Sequence, residues 1–401
     1  MSPLRILPLS LAVATALLVG AASAGAAGTA TLDGTTVRFV DPVGAADDLK
    51  ASISSVPQEN DVERLGGWRV GFLQYDPATT PGAGCQVGFV STICPTGGTV
   101  PGVAIDLGGG NDQLEIGTNP AAPGLKATIA GGPGDDEIEV YQTGGTIDGG
   151  AGDDVISPDN RMSINQFPPE PTPGGVIRGG GGTDTVEYSS VLTPIDVSLD
   201  SKANDGRKGE GDNVMPDVEN VTGGPYGGAL IGSAAANELT GGGSADRIVG
   251  GAGKDQLDGR GGNDTIDALD GAAGDRVTCG DGADVAYVDA GDLVTSEDVQ
   301  GGTPCEKVVS APGVSSSRLR FRSKRISVKL QCPKLSTATC SGRLRLSTPK
   351  GKKVASATYR VKRGKKATVA LKARKRPARQ AVLIVAPTGT APIAGRVVSV
   401  R

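Results

Sequence analysis

The sequence predicts an all-β protein: a parallel β-roll, or β-solenoid, followed by a small β-sandwich. Three observations carry this. Five nonapeptides run without a break from Gly223 to Asp267: GGPYGGALI, GSAAANELT, GGGSADRIV, GGAGKDQLD and GRGGNDTID. Near the C-terminus, RISVKLQC, GRLRLST, KVASATYRVK, ATVALKA and AVLIVAP alternate apolar and polar residues, with PKGKK, RGKK and RKRPAR between them. The 401 residues hold 63 Gly but only five Phe, six Tyr and one Trp, which suits a thin stacked core rather than a large globular one.

The elements follow in chain order. MSPLRILPLSLAVATALLVGAASAGA has a basic residue (Arg5), an apolar stretch to Val19 and the A-x-A triplet Ala22-Ser23-Ala24. This is the pattern of a cleaved export leader, taken as residues 1–27. The apolar run is broken by Pro8 and Ser10, and no later stretch is long enough to span a bilayer, so no transmembrane segment is expected after cleavage. Residues 28–105, opening with TATLDGTTVRFVD, read as an N-terminal β cap that closes the roll and covers its open edge. The roll with its insertions is assigned to 106–308, a linker to 309–317 (VSAPGVSSS) and a basic, Ig-like β-sandwich to 318–401.

Each nonapeptide has two halves with different work. The first six residues make a tight turn in which glycine permits φ > 0 and close backbone approach. The sixth offers a carboxylate beside the turn carbonyls, the hard oxygen donors that Ca²⁺ takes. In the last three, alternation turns the eighth residue inward: Leu230, Leu239, Ile248, Leu257 and Ile266, each nine after the last. The sixth positions are Gly228, Asn237, Asp246, Asp255 and Asp264; the first two lack a carboxylate and read as capping or metal-free turns. Two less regular units follow, around Asp275 and Asp284.

An earlier, looser array comprises LGGGNDQLE, GGPGDDEIE, GGAGDDVIS and GGGGTDTVE, with Asp112, Asp136, Asp154 and Asp184 at gaps of 24, 18 and 30. One roll turn is two nonapeptides, so these loops are expected on one edge, with insertions bulging from the other. In the later block the loops should alternate: Asp246, Asp264 and Asp284 on one edge, Asp255 and Asp275 on the other. A flexible Gly-rich linker would not place an aliphatic residue two positions after each Asp.

These nonapeptides resemble the hemolysin-type calcium-binding repeats of bacterial RTX proteins, and Asp205–Gly224 looks like the lead-in that precedes such repeats. The resemblance implies several bound Ca²⁺ ions and calcium-dependent folding after export. It places Asp112, Asp136, Asp154, Asp184, Asp246, Asp255 and Asp264 at the ligand position, with Asp275 and Asp284 from the degenerate units. Many members of the family use an uncleaved C-terminal export signal; this chain departs from that in carrying the N-terminal leader.

The six cysteines fall into local pairs, Cys85 with Cys94, Cys279 with Cys305 and Cys332 with Cys340, which suggests disulfides in an exported chain. A four-cysteine zinc site is the alternative, but its CxxC spacing is missing. Charge divides sharply. Residues 311–401 carry 24 of the 40 Lys+Arg and no Asp or Glu, leaving 16 basic against all 44 acidic groups in the rest. The basic segment is expected to give either a solubilising surface or attachment to an anionic cell-surface polymer or polysaccharide. With only Phe321 and Tyr359 there as aromatics, specific nucleic-acid recognition is not expected.

An enzyme is not expected. The chain has no His, so neither a Ser-His-Asp triad nor an HExxH zinc site can be built. The surviving alternative is a secreted polysaccharide-active enzyme using paired carboxylates, for which Asp196, Glu210 and Glu219 are the candidates. The expected role is that of a secreted calcium-binding structural or surface-interaction protein.

Overall fold

The computed structural model describes residues 29–33, 36–40, 48–56, 67–74, 80–81, 83, 86–87, 92–97, 102–119, 126–140, 144–158, 174–295, 305–314, 318–334, 336, 339–348, 350, 352–373, 377, 380–387 and 396–400. The leader read at 1–27 and the Cys85–Cys94 pairing lie outside the described residues. Every regular element among the described residues is a strand, as the glycine-rich, aliphatic-alternating sequence dictates.

Two parallel faces build the roll. One is a single sheet running through Gln113–Asn119, Glu137–Val140, Val155–Ser157, Thr185–Glu187, Asn220–Thr222, Glu238–Thr240, Gln256–Asp258, Arg276–Thr278 and Leu293–Thr295. The opposite face changes sheets midway. It begins with Thr36–Val40, Gly102–Asp106, Lys126–Pro133, Gly144–Ala151, Gly175–Gly181 and Asn213–Val214. It continues with Ile195–Ser198, Gly228–Ile231, Asp246–Val249, Thr265–Ala268, Val285–Val288 and Lys307–Ser310. The changeover coincides with the 30- and 35-residue spacings around Asp184.

Register is set by the inward aliphatic. Ile105, Ile129, Ile147, Ile177 and Val214 line up across one face. Leu114, Ile138, Ile156, Val186, Val221, Leu239, Leu257, Val277 and Val294 line up across the other. All but the partly buried Val294 lie in one continuous buried cluster. A one-residue slip would turn every one of them to solvent. The strands Thr36–Val40 and Asp48–Val56 pair in parallel with Gly102–Asp106 and Gln113–Asn119, so both faces already extend into the segment read as the cap.

Val309 and Ser310, linker by composition, belong to the last roll strand, which pairs with Val285–Val288. Beyond it lies a second core, formed by the strands Arg318–Arg322, Arg325–Gln331, Cys340–Ser347, Lys353–Val361, Lys366–Lys372, Gln380–Pro387 and Arg396–Val400. Their pairing is antiparallel except where Arg318–Arg322 meets Arg396–Val400. Two expected disulfides are formed: Cys279–Cys305 (S–S 2.01 Å) within the roll and Cys332–Cys340 (2.09 Å) in the second core.

Candidate metal centre

The sixth-position carboxylates form ladders along the two edges. On the first edge the backbone N–H of each loop donates to the aspartate of the next turn: Asp112 to Asp136 Oδ1 (2.9 Å), Asp136 to Asp154 (2.9 Å) and Asp154 to Asp184 (3.0 Å). The four loops therefore stack on one edge, as their gaps imply. The ladder does not stop at the insertion: Asp184 N–H donates to Glu219 Oε2 (3.1 Å), and the Asn237 side-chain amide donates to the Glu219 carbonyl (2.9 Å). It then runs from Asn237 to Asp255 (3.0 Å), Asp255 to Asp275 (2.9 Å) and Asp275 to Asp292 (3.4 Å). The second edge links Asp246 to Asp264 (2.8 Å), Asp264 to Asp284 (2.8 Å) and Asp284 to Glu306 Oε2 (2.6 Å). The alternation expected of the later block is present, and the two arrays share one edge.

Several ladder members escape the sequence pattern. Glu219, Asp292 and Glu306 each stand two residues before an aliphatic that packs in the roll core, Val221, Val294 and Val308. That signal was available; the turns of Glu219 and Asp292 lack the leading glycine pair that advertises a repeat, whereas the Glu306 unit keeps it as Gly301-Gly302 and puts Glu in place of Asp at the sixth position. The fifth positions were missed as well. Asp135, Asp153 and Thr183 N–H groups donate to Asn111, Asp135 and Asp153 Oδ1 of the preceding turn (2.7–3.0 Å), an outer ladder running the opposite way. Asn237 is no bare cap: its Oδ1 accepts from Ser233 N–H (2.8 Å), so a neutral amide continues the edge.

The nine predicted aspartates are all buried. The second carboxylate oxygens of Asp136, Asp154, Asp184, Asp255, Asp264 and Asp284 have no hydrogen-bond partner. Burial raises the carboxyl pKa values most: to about 6 for Asp154 and about 7 for Asp264 and Asp275. Backbone N–H donors pull them down and neighbouring carboxylates push them up again. Neither ion pair of the adjoining segment, Lys202–Asp200 or Arg207–Glu210, involves a ladder aspartate. A buried carboxylate oxygen without a partner is neutralised either by a proton or by a cation. The repeat's first glycine makes the space for the carboxylate: a Cβ at Gly131, Gly149, Gly179, Gly250 or Gly259 would overlap the carboxylate of its own loop.

Donor chemistry fits calcium, since every candidate ligand is a hard oxygen. Among the described residues no three acidic side chains converge on one point. Each loop thus offers a single sixth-position carboxylate, and turn carbonyls have to supply the remaining donors. A family model for the RTX calcium-binding nonapeptide repeat matches residues 146–160, 231–266 and 240–277. The chain carries RTX calcium-binding repeats of the hemolysin type. Such repeats bind calcium at several sites. The matched stretches are a small part of the 401 residues, and no curated protein matches the chain.

The carboxylates considered for catalysis have separate settings. Glu219 belongs to the ladder, Glu210 pairs with Arg207 (2.8 Å), and Asp196 is exposed on its strand. The carboxylate-enzyme alternative has no support here. No helix among the described residues is long and apolar enough to cross a membrane.

Proposed function

We propose that the protein is a secreted, calcium-stabilised structural protein that folds after export and attaches to an anionic surface polymer through its basic segment. The observation that carries it is the pair of edge ladders, in which the second carboxylate oxygens of Asp136, Asp154, Asp184, Asp255, Asp264 and Asp284 are buried without a hydrogen-bond partner. Asp112, Asp136, Asp154, Asp184, Asp246, Asp255, Asp264, Asp275 and Asp284 would hold calcium together with turn carbonyls, and Glu219, Asp292 and Glu306 extend the set.

Calcium supplies positive charge between loops that otherwise repel one another. The chain's own residues do the rest: glycines let the carboxylates in, the inward aliphatics set the register, and the backbone N–H groups orient each Oδ1. In a compartment poor in calcium the ionised carboxylates oppose coiling; outside the cell the bound ion shifts the balance. Residues 28–105 close the N-terminal end, with Thr36–Val40 and Asp48–Val56 continuing the roll's two faces, the roll extends to Ser310, and 318–401 serve as the attachment domain. The oxidised Cys279–Cys305 and Cys332–Cys340 pairs support an exported location.

Fractionation of cells expressing the full chain tests this. A mature protein starting just after Ala24, found outside the cell and protease-resistant only with calcium, is the expected result. A chain retained inside with its leader, or equally resistant in chelator, would contradict it.

A further inference from the structure

The second core presents one face of unusual charge. Opposed residues in a sheet share a face, so register identifies it: Arg322 faces Arg325, which faces Lys372 on its other side, and Arg320 faces Ser327. Lys329 faces Thr368, and Gln331 faces Lys366. Arg320, Arg322, Arg325, Lys329, Lys366 and Lys372 are all exposed. Between them stand only small or polar outward residues, Ser327, Thr368, Ala370 and Gln331, so nothing bulky screens the cations. Like charges directly opposite one another destabilise a sheet, and residues 311–401 contain no Asp or Glu to offset them.

A second, independent observation concerns the hairpin tip. Ser323 and Lys324 join Arg318–Arg322 to Arg325–Gln331 with φ of 48° and 60°. Both central residues of this two-residue turn are left-handed, a place where Asn-Gly is preferred. Lys324 keeps a cation there at a conformational cost. Two unfavourable choices, opposed cations and a strained basic turn, converge on the same end of the same face.

We propose that this face binds a linear phosphate polymer whose phosphodiester groups run along the strands Arg325–Gln331 and Lys366–Lys372. The proposal rests on the polymer-attachment reading above and gives it a surface and a chemistry. Arginine forks match phosphate oxygens in pairs. Cations on neighbouring strands stand about 5 Å apart, and same-face positions along a strand repeat about every 7 Å, so successive phosphates meet successive rows. A sugar ring or a base would need an aromatic platform; Phe321 instead opposes the buried Ile326 on the inward face.

The test uses the full mature chain in calcium with poly(glycerol phosphate) as probe, and polygalacturonate as its carboxylate counterpart. Arg322→Gln/Arg325→Gln/Lys372→Gln is compared with Arg343→Gln/Arg345→Gln/Arg360→Gln, three exposed arginines on the Cys340–Ser347 and Lys353–Val361 hairpin. The first triple should weaken binding about tenfold or more and lower the salt slope by about two, at roughly 0.7 per lost contact, while the second changes little. The first triple and Lys324→Gly should also raise the melting temperature of this domain, which a misfolded variant would not do.

Equal losses from both triples would overturn the face assignment. Equal binding of polygalacturonate would overturn the phosphate assignment. Concentration-dependent dimers abolished by the first triple would overturn it in favour of a second copy of the chain. Failure of the native chain to bind either polymer would remove the attachment reading itself.

Discussion

The roll and the basic second core, read from the sequence as a sandwich, both bury an all-β core with very few aromatics, and they do so by opposite means. In the roll each turn offers one aliphatic per short strand, of which several are only three residues long, and pairing is parallel. In the sandwich, strands of five to nine residues pair antiparallel in all but one case and bury alternate side chains, as Ile326, Val328 and Leu330 show. The sandwich closes its core from aliphatic side chains, one disulfide and Tyr359, with no carboxylate. The roll has a narrow hydrocarbon seam flanked by two columns of buried carboxylates, so its folding free energy depends on what neutralises them. The contrast puts the candidate calcium ladders in one region and leaves the other with no acidic side chain at all.

The largest effect should come from removing calcium. Scanning calorimetry of the full chain is expected to show two transitions in calcium and only the sandwich transition in chelator. Persistence of both in chelator would erase the contrast.

Next in size are the disulfides. Chain-entropy arguments give about 3.5 kcal/mol for Cys279–Cys305, which closes 26 residues of the roll, and about 2.5 kcal/mol for Cys332–Cys340, which closes 8. Replacing each pair by serine should lower stability in that order, with each loss confined to its own transition. A single shared transition responding to both would show that the two cores are one cooperative unit.

Glycine substitutions sharpen the point within a single repeat type. Gly149→Ala places a methyl against the Asp154 carboxylate and should cost on the order of 2 kcal/mol while removing calcium from that loop. Gly181→Ala meets open space and should change stability by less than about 0.5 kcal/mol. Equal effects in calcium titrations of the two variants would dismiss the first glycine as the residue that admits the carboxylate.

The smallest effect is on pH. Metal-free, an aspartate whose folded pKa lies above its ordinary value gains a proton on folding, so the roll loses stability as pH rises. The window runs from about 4, the ordinary value, through about 6 for Asp154 to about 7 for Asp264 and Asp275. Calcium requires the ionised forms, so the calcium-loaded roll should gain stability across the same window. The denaturant midpoint of the roll in calcium should therefore rise from pH 5 to pH 7.5, while without calcium any roll structure should appear only toward pH 5. The sandwich, with no Asp or Glu, should show neither trend.

Much of this was legible because the nonapeptide couples two signals, glycine turns and an aliphatic at fixed distance. Where both are present, from Asp246 to Asp264, edge and register follow from counting. Glu219 and Asp292 were hidden because the leading glycine pair is missing there and a single Val two residues after an acid is common; Glu306 was hidden because Glu replaces Asp behind Gly301-Gly302. The fifth-position ladder was missed for a different reason: Asn111, Asp135 and Asp153 act only across turns, through backbone groups 18 to 30 residues away. The change of sheet behind the continuous face was equally invisible, since it depends on how the Asp205–Val214 segment folds back. There Asp205 accepts from Ser198 and Val214 N–H groups (2.7 and 2.8 Å), a buried knot that no periodicity announces.

Calcium titration of the full mature chain, followed by circular dichroism and calorimetry together, tests the central claim most directly. Binding of several ions with a parallel gain of β-structure, reduced in stoichiometry by Asp255→Ala with Asp264→Ala, is the predicted result. A β-signal already complete without metal, with no heat of binding at millimolar calcium, would contradict it.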